Sequence, residues 1–591
     1  MDPTREDAIH NERYVKVICV GAGASGICLA YKLQRSFRCF SLTIYDKNPC
    51  IGGTWYENRY PGCACDVPSH NYVYSFEPKA DFLSVYASSG EIQSYFEGFV
   101  QKYDLSRFLR LSCLVKETSW NEHDGRWEVE IHNLVTGEIV QDWCHILVNA
   151  CGYLNKPAWP KIPGMQDYGG TCVHSADYDT SISLTNKNVL LIGSGSSAAQ
   201  ILPAIQPRVK SVTIFIRSPS WLLPDISSEA GRFTKDEIER FVREPESVLR
   251  LRQDNERTMN SIFSLYLRGS ILQEQCRSLL ESRMRGILDD REAEESLIPK
   301  FEVGCKRVIP SGFKFLKALK KPNVRAVYGG VTSFTSSGVI SEDGSIHDGD
   351  VVICATGFDT SYVSSFPILG PNCRNLQAEW AESITGYMGV GVSAFPNMFT
   401  LLGPYSPVSN GPTLIAIEAQ ADYICAFVNR YQTEPSIHSM APKEVACAEF
   451  KAHVSSFMAK AVWTANCRNS HNNHEIGGRT PTTWPGSTLH YLEAIREPRW
   501  DDWSFTHSTN RFSWLGNGIS QTEWDPVADL GYYIRQGDDG AWGSRWRNNA
   551  VINKSGSMPP RELHRQTRLA PDSAKTDTMP LQRGDGRDAG H

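Results

Sequence analysis

No run of this chain approaches the ~20 consecutive apolar residues of a membrane-spanning helix, and the opening Met1-Asp2-Pro3-Thr4-Arg5-Glu6-Asp7 lacks the apolar core of a secretory signal. A cytoplasmic protein is expected. Long basic runs are missing too: 60 Lys and Arg against 66 Asp and Glu give a formal charge of −6, which points away from nucleic acid and from anionic membrane surfaces. The 17 cysteines form no CxxC pair, and several, such as Cys19 and Cys354, fall in apolar strand-like runs. Buried reduced thiols are therefore expected rather than a disulfide framework, and neither a metal nor a redox role is assigned to Cys63 and Cys65. With 591 residues and 41% hydrophobic content, the chain can fill two or three domain cores.

What is present is a glycine-rich turn used twice. Val15 to Val20 reads as a buried parallel strand and runs into Gly21-Ala22-Gly23-Ala24-Ser25-Gly26; Val189 to Ile192 runs into Gly193-Ser194-Gly195-Ser196-Ser197-Ala198. In each, the first glycine permits a tight turn and the second lets backbone approach a pyrophosphate. The third small residue lets the helix pack close, its N-terminus facing the phosphates. The two units differ at the end of their next strand. Asp46, about twenty residues after the first turn, suits a ribose diol and hence FAD or NAD. Arg217, similarly placed after the second, suits a 2′-phosphate and hence NADPH.

The pattern predicts an α/β chain with two Rossmann-like dinucleotide-binding domains and a helical insertion. Residues 1–160 form the first part of an FAD domain, 161–222 the first part of an NADPH domain, 223–300 the insertion, 301–349 the NADPH return, 350–540 the FAD return and 541–591 a disordered polar tail. A proline-rich connector over residues 156–164 reads as a hinge or crossover. Within the insertion, Ile262, Leu265, Tyr266, Leu272, Cys276 and Leu279 recur at helical spacing. After the strand-like Val351-Val352-Ile353-Cys354, Gly357 is positioned for backbone to approach a flavin nucleotide.

Three further stretches resemble the Baeyer-Villiger monooxygenases, flavoproteins that carry FAD and NADPH sites on one polypeptide. Residues 52–66, Gly-Gly-Thr-Trp-Tyr-Glu-Asn-Arg-Tyr-Pro-Gly-Cys-Ala-Cys-Asp, match that family's long glycine-to-aspartate signature at every defining position. Tyr168, Gly170, His174, Tyr178 and Asp179 are similar to its short fingerprint, with Tyr at two positions where Phe and Trp are usual. Gly304-Cys305-Lys306-Arg307 is similar to the segment that supplies the active-site arginine. The similarity spans residues 15–520, and residues 484–487 and 510–512 resemble fungal members of secondary metabolism. Ser470 falls where many relatives carry a tryptophan, so that role is not carried over.

The resemblance implies a ketone and O₂ as substrates, an ester or lactone as product, and a flavin-borne peroxide that transfers the oxygen. It assigns Arg307 to stabilise negative charge over the flavin and Asp66 to hold that arginine. Gly53, Thr54, Trp55, Tyr60 and Asp66 join Gly21, Gly23, Ala24, Ser25, Gly26 and Asp46 at FAD; Lys306 joins Arg217 and residues 193–198 at NADPH. A lone His174 beside a crossover is expected to be structural. Competing functions are an N- or S-oxygenating flavin monooxygenase and, in another class, a catalytically silent NADPH-sensing flavoprotein. A disulfide reductase needs a cysteine pair where this chain has Trp55.

Overall fold

The computed structural model describes residues 8–224, 231–288, 290–408, 411–470 and 482–534. The proposed disordered tail lies outside the described residues. The described residues divide into two compact units, one within residues 10–516 and one formed by residues 8–9 with 517–534. In the smaller, Ile9 donates its N–H to the Ile519 carbonyl (3.0 Å), and the short helix Gln521–Trp524 starts with a capping box between Ser520 and Glu523.

The larger unit holds two five-stranded sheets whose strands all pair in parallel. The first runs in the order Met398–Thr400, Ile146–Asn149, Val15–Val20, Phe40–Tyr45, Leu109–Arg110. The second runs Val324–Val327, Ser211–Phe215, Asn188–Ile192, Val351–Cys354, Thr171–His174. Each glycine turn follows a central strand, whose apolar run is covered on both faces: Val17, Ile18 and Cys19 in one and Val189, Leu190 and Leu191 in the other are no more than 1% exposed. Each such side chain contributes about 1.5–3 kcal/mol by burial.

The helices Ala24–Ser36 and Ser196–Ile205 follow the two turns. The long helix Thr413–Thr433 packs on the first, with Lys32 paired to Asp422 at 2.8 Å. A four-stranded sheet, Ile368–Leu369, Cys113–Asn121, Arg126–Asn133, Ile139–Cys144, extends the first half.

Three expectations need correction. Val351–Cys354, expected in the FAD return, instead lies in the second sheet between Asn188–Ile192 and Thr171–His174, because an apolar run buried on both faces belongs inside a parallel sheet. The insertion is helical, with helices Lys235–Arg243, Pro245–Ser261, Ile271–Arg285 and Arg291–Leu297, but Leu279 is 53% exposed. The buried face of its helix is carried by Gln273, Leu280 and Met284. Cys305 and Cys467, finally, are joined in a disulfide, because two distant segments bring their Cα atoms to 6.5 Å; the other fifteen cysteines are free.

Among the described residues, no helix is long and apolar enough to cross a membrane.

Candidate active site

The first turn is closed by sterics. Gly21 sits at φ +113°, where a Cβ would lie 2.6 Å from the Ala150 carbonyl oxygen, and a Cβ on Gly26 would come within 2.0 Å of the Gly21 oxygen. Asp46 is 7% exposed, and its two carboxylate oxygens accept the Ala22 N–H (2.7 Å) and the Asn48 N–H (2.8 Å). Burial raises its pKa, and the two backbone donors act against that. The residue assigned to the ribose thus also braces the turn.

Gly23 and Gly53 face one another so closely that a Cβ on Gly53 would meet Gly23 Cα at 3.1 Å. Ala24 and Ser25 begin the helix behind them, and its Gly23 N-cap offers no side-chain acceptor. The second turn repeats this layout, with Gly193 at φ +127° against the Ala355 oxygen. Gly195, at the N-cap of Ser196–Ile205, meets nothing within 4 Å on its Cβ side. Ser197 is half-buried, and Ala198 is packed inside. Both helices thus present first-turn N–H groups with no capping side chain and no acid in the first turn, which fits two pyrophosphates.

The signature segment ties the turns together. Tyr60, assigned to FAD, donates its hydroxyl to Gln200 Oε1 at 2.8 Å, on the second turn's helix, and Gln200 Nε2 donates to the Ala64 carbonyl at 3.0 Å. Trp55 is buried, donates from Nε1 to the Tyr72 hydroxyl (3.1 Å) and meets that ring edge-on. Thr54 beside it is exposed.

Two residues past Ala64, Asp66 accepts a two-pronged contact from Arg307: Nε to Oδ2, and the second terminal nitrogen to Oδ1 at 2.8 Å. Asp66 raises the arginine's pKa above its already high value, first by its charge and then by the hydrogen bond. The Arg307 side chain is nonetheless 45% exposed, so this fixed cation still presents a free face. Tyr153, which the sequence did not single out, and Tyr266, expected only as an apolar residue of the insertion, lie close enough to feel Arg307. Burial pushes both phenols up while the arginine pulls them down, and they remain protonated donors at neutral pH. Tyr266 stacks on Trp463 (5.4 Å) and Tyr153 on Tyr362 (6.0 Å).

Lys306 turns the other way. Its Nζ donates to Ser218 Oγ (2.7 Å) and to the Pro219 carbonyl (3.0 Å), just beyond exposed Arg217; Ser194 Oγ donates to the Ser218 carbonyl at 2.7 Å. Burial, then the charges of Arg217 and Arg468, lower the Lys306 pKa to about 8. Arg468 is a third cation that sequence reasoning missed. Ser470 is half-buried two residues beyond it.

The short fingerprint works as architecture. His174 is fully buried, takes the Ala176 N–H on Nδ1 (3.1 Å) and lies against Trp159 and Phe358, while Tyr168 ties its hydroxyl to the Gly349 carbonyl (2.7 Å). Gly357, at φ +85°, accepts the Ala158 N–H at 2.9 Å and so fastens the connector.

Two parallel sheets, each with a phosphate-ready turn, and a clamped guanidinium on segments tied to both define an oxidoreductase of the two-dinucleotide kind. Residues 15–266 match the flavin-binding monooxygenase-like family. The FAD-binding monooxygenase moxY of Dothistroma septosporum is 33% identical over 87% of this chain and 83% of its own length. A Baeyer-Villiger monooxygenase of Streptomyces coelicolor is 29% identical over 82% and 91%. The crystal structure of cyclohexanone monooxygenase from Rhodococcus sp. Phi1 bound to NADP+ matches with a TM-score of 0.73 at 25% identity, covering 84% of this chain and 100% of that one. The chain belongs to the flavin-binding monooxygenase family and is an enzyme of its Baeyer-Villiger type.

Proposed function

We propose that this enzyme uses NADPH, FAD and O₂ to convert a ketone, derived from a polyketide or terpenoid intermediate of secondary metabolism, into an ester or lactone. The observation that carries this is the Arg307–Asp66 clamp, a permanent cation held from one side and open on the other. FAD would be held by Gly21, Gly23, Ala24, Ser25, Gly26, Asp46, Gly53, Thr54 and Trp55, with Tyr60 bracing the second helix. NADPH would be held by residues 193–198, Arg217 and Lys306. The FAD unit then comprises residues up to about 160 and from about 355, the NADPH unit residues 161–222 and 301–354, and the insertion residues 223–300.

When bound, the flavin supplies reducing power from NADPH and activated oxygen to the ketone. Oxygen insertion beside a carbonyl passes through an adduct whose oxygen is anionic, and Arg307 offers that charge a donor that never needs to be protonated first. Asp66 takes two of the guanidinium's N–H groups and leaves the rest for the reacting oxygen. Tyr153 and Tyr266, whose phenols stay protonated within reach of the Arg307 charge, are further hydrogen-bond donors for this site. A panel of aryl, cyclic and terpenoid ketones, assayed for NADPH consumption and for a product heavier by one oxygen, tests the assignment; amine or sulfide products with no ester from any ketone would favour the N- or S-oxygenating reading.

Arg217→Ala should raise the KM for NADPH by about tenfold or more and leave that for NADH unchanged, since only NADPH carries the 2′-phosphate. Equal losses with both would remove Arg217 from the phosphate site.

The Lys306 amine gives a pH signature. With a pKa of about 8 in the free protein, it is charged at pH 7 and mostly neutral at pH 9. A bound phosphate dianion favours its charged form, so NADP+ affinity should fall from pH 7 to 9, by at most about tenfold per pH unit, while NAD+ affinity stays level. Calorimetry at pH 8.5 in two buffers of different ionisation enthalpy should show proton uptake with NADP+; no uptake would place Lys306 away from the phosphate.

A further inference from the structure

The bonded pair Cys305 and Cys467 is separated by 162 residues, and both are buried, at 0% and 2% exposure. Phe301 and Ala465 pack around them, and Asn469 Nδ2 donates to the Trp463 carbonyl at 2.9 Å while approaching both sulfurs. Each cysteine directly precedes a cation. Cys305 leads into Lys306, and Cys467 leads into Arg468, an exposed residue on the irregular chain beyond the short 3-10 turn Val462–Thr464.

Lys306 Nζ bonds to Ser218 and Pro219, directly after Arg217 in the chain, and the Cys305–Cys467 joint ties the Arg468 segment to that of Lys306, so cations from three separate segments share one neighbourhood. Like charges so placed repel, and a covalent joint one residue behind two of them opposes their separation until an anion sits among them. Phe301 and Ala465, which pack on the joint, also line a surface hollow of about 380 Å³, so one layer of side chains separates the buried sulfurs from solvent.

We propose that Cys305 and Cys467 are a reversible redox modification site, taking a hydroperoxide as oxidant and a dithiol as reductant, whose closed disulfide holds Arg468 in the cation cluster that receives the 2′-phosphate. The proposal rests on the NADPH reading of that cluster. In the oxidation, one thiolate sulfur attacks a peroxide oxygen; the O–O bond breaks, the departing oxygen takes a proton, and a sulfenic acid and water result with hydrogen peroxide as oxidant. The second thiol attacks the sulfenic sulfur, forms the S–S bond and releases another water. Two thiols lose two electrons and two protons, and the peroxide ends as two waters. A dithiol reverses this by exchange, becoming a disulfide itself.

The test uses full-length holoenzyme in three preparations: as purified in air, dithiol-treated, and dithiol-treated then exposed to hydrogen peroxide. Alkylation under denaturing conditions with mass spectrometry should count fifteen, seventeen and fifteen free thiols. Calorimetry should show NADP+ bound about fivefold more tightly in the fifteen-thiol forms, with NAD+ unaffected. Cys467→Ser should bind NADP+ weakly in every preparation. Arg468→Ala should also bind weakly, yet its thiols should still switch, and this exposed substitution keeps the test decisive if the serine variant does not fold. NADP+ affinity unchanged between fifteen and seventeen thiols, or Arg468→Ala binding as tightly as the parent, would overturn the proposal. A parent that prefers NADP+ to NAD+ in neither form would instead overturn the phosphate site on which it rests.

Discussion

Arg307→Ala is expected to retain FAD and to accept electrons from NADPH, yet to lose ester or lactone formation by about 100-fold or more, with the oxygen recovered as hydrogen peroxide. The guanidinium is a cation at every working pH, and Asp66 raises its pKa further. Removing it takes away the donor for the anionic adduct and leaves Asp66 without its partner, so a bare carboxylate faces the site and repels the same charge. Asp66→Ala should move in the same direction less completely, because the cation persists but is no longer aimed. Arg307→Lys should fall between, having charge without the two-pronged fork. Single-turnover absorbance, a peroxide assay and product mass separate flavin reduction from oxygen transfer. Near-parental ester yield from Arg307→Ala would remove this residue from the chemistry.

A second pair of variants should separate the two cofactors with effects of similar size. Gly26→Ala puts a methyl 2.0 Å from the Gly21 oxygen, and Gly193→Ala puts one 2.3 Å from the Ala355 oxygen at a φ of +127°. Neither obstacle is the tip of a flexible side chain, so the turn itself must shift. Gly26→Ala should be purified largely colourless, its FAD affinity lowered by well over tenfold. Gly193→Ala should remain yellow yet reduce very slowly with NADPH, while dithionite still bleaches it. Circular dichroism and melting curves check that each variant is folded. If Gly193→Ala lost flavin and Gly26→Ala kept it, the assignment of the two turns would be reversed.

The turns were legible because their chemistry is local: strand, small residues and helix follow one another in sequence, and Asp46 and Arg217 stand at the ends of the very next strands. The Arg307–Asp66 clamp spans 241 residues and was legible only through resemblance. Arg468, Tyr153 and Tyr266 were not, since nothing in their neighbourhoods distinguishes them from surface or core residues until the fold brings them to Lys306 and Arg307. For Arg468 the one available signal was its adjacency to Cys467, which means little without knowing that Cys305 is the partner. The strand Val351–Cys354 went to the wrong unit for a related reason: an apolar run announces a buried strand but not which sheet it enters. Tyr60 shows the remaining gap, for its place in a cofactor signature does not reveal that its hydroxyl is engaged by Gln200.

The order of strands in the first sheet governs how the molecule comes off the ribosome. Ile146–Asn149 is flanked by Val15–Val20 on one side and by Met398–Thr400 on the other, and every strand of the second sheet is synthesised between those two neighbours. During translation the edge of Ile146–Asn149 that pairs with Met398–Thr400 therefore has no native partner until the second sheet's strands have all been synthesised. The nascent chain spends that interval with Ile146, Leu147 and Val148, all no more than 1% exposed in the finished protein, lacking their final neighbour. The first sheet is thus completed from a part of the chain that lies beyond the whole of the second sheet, so its closure depends on contacts of long sequence separation.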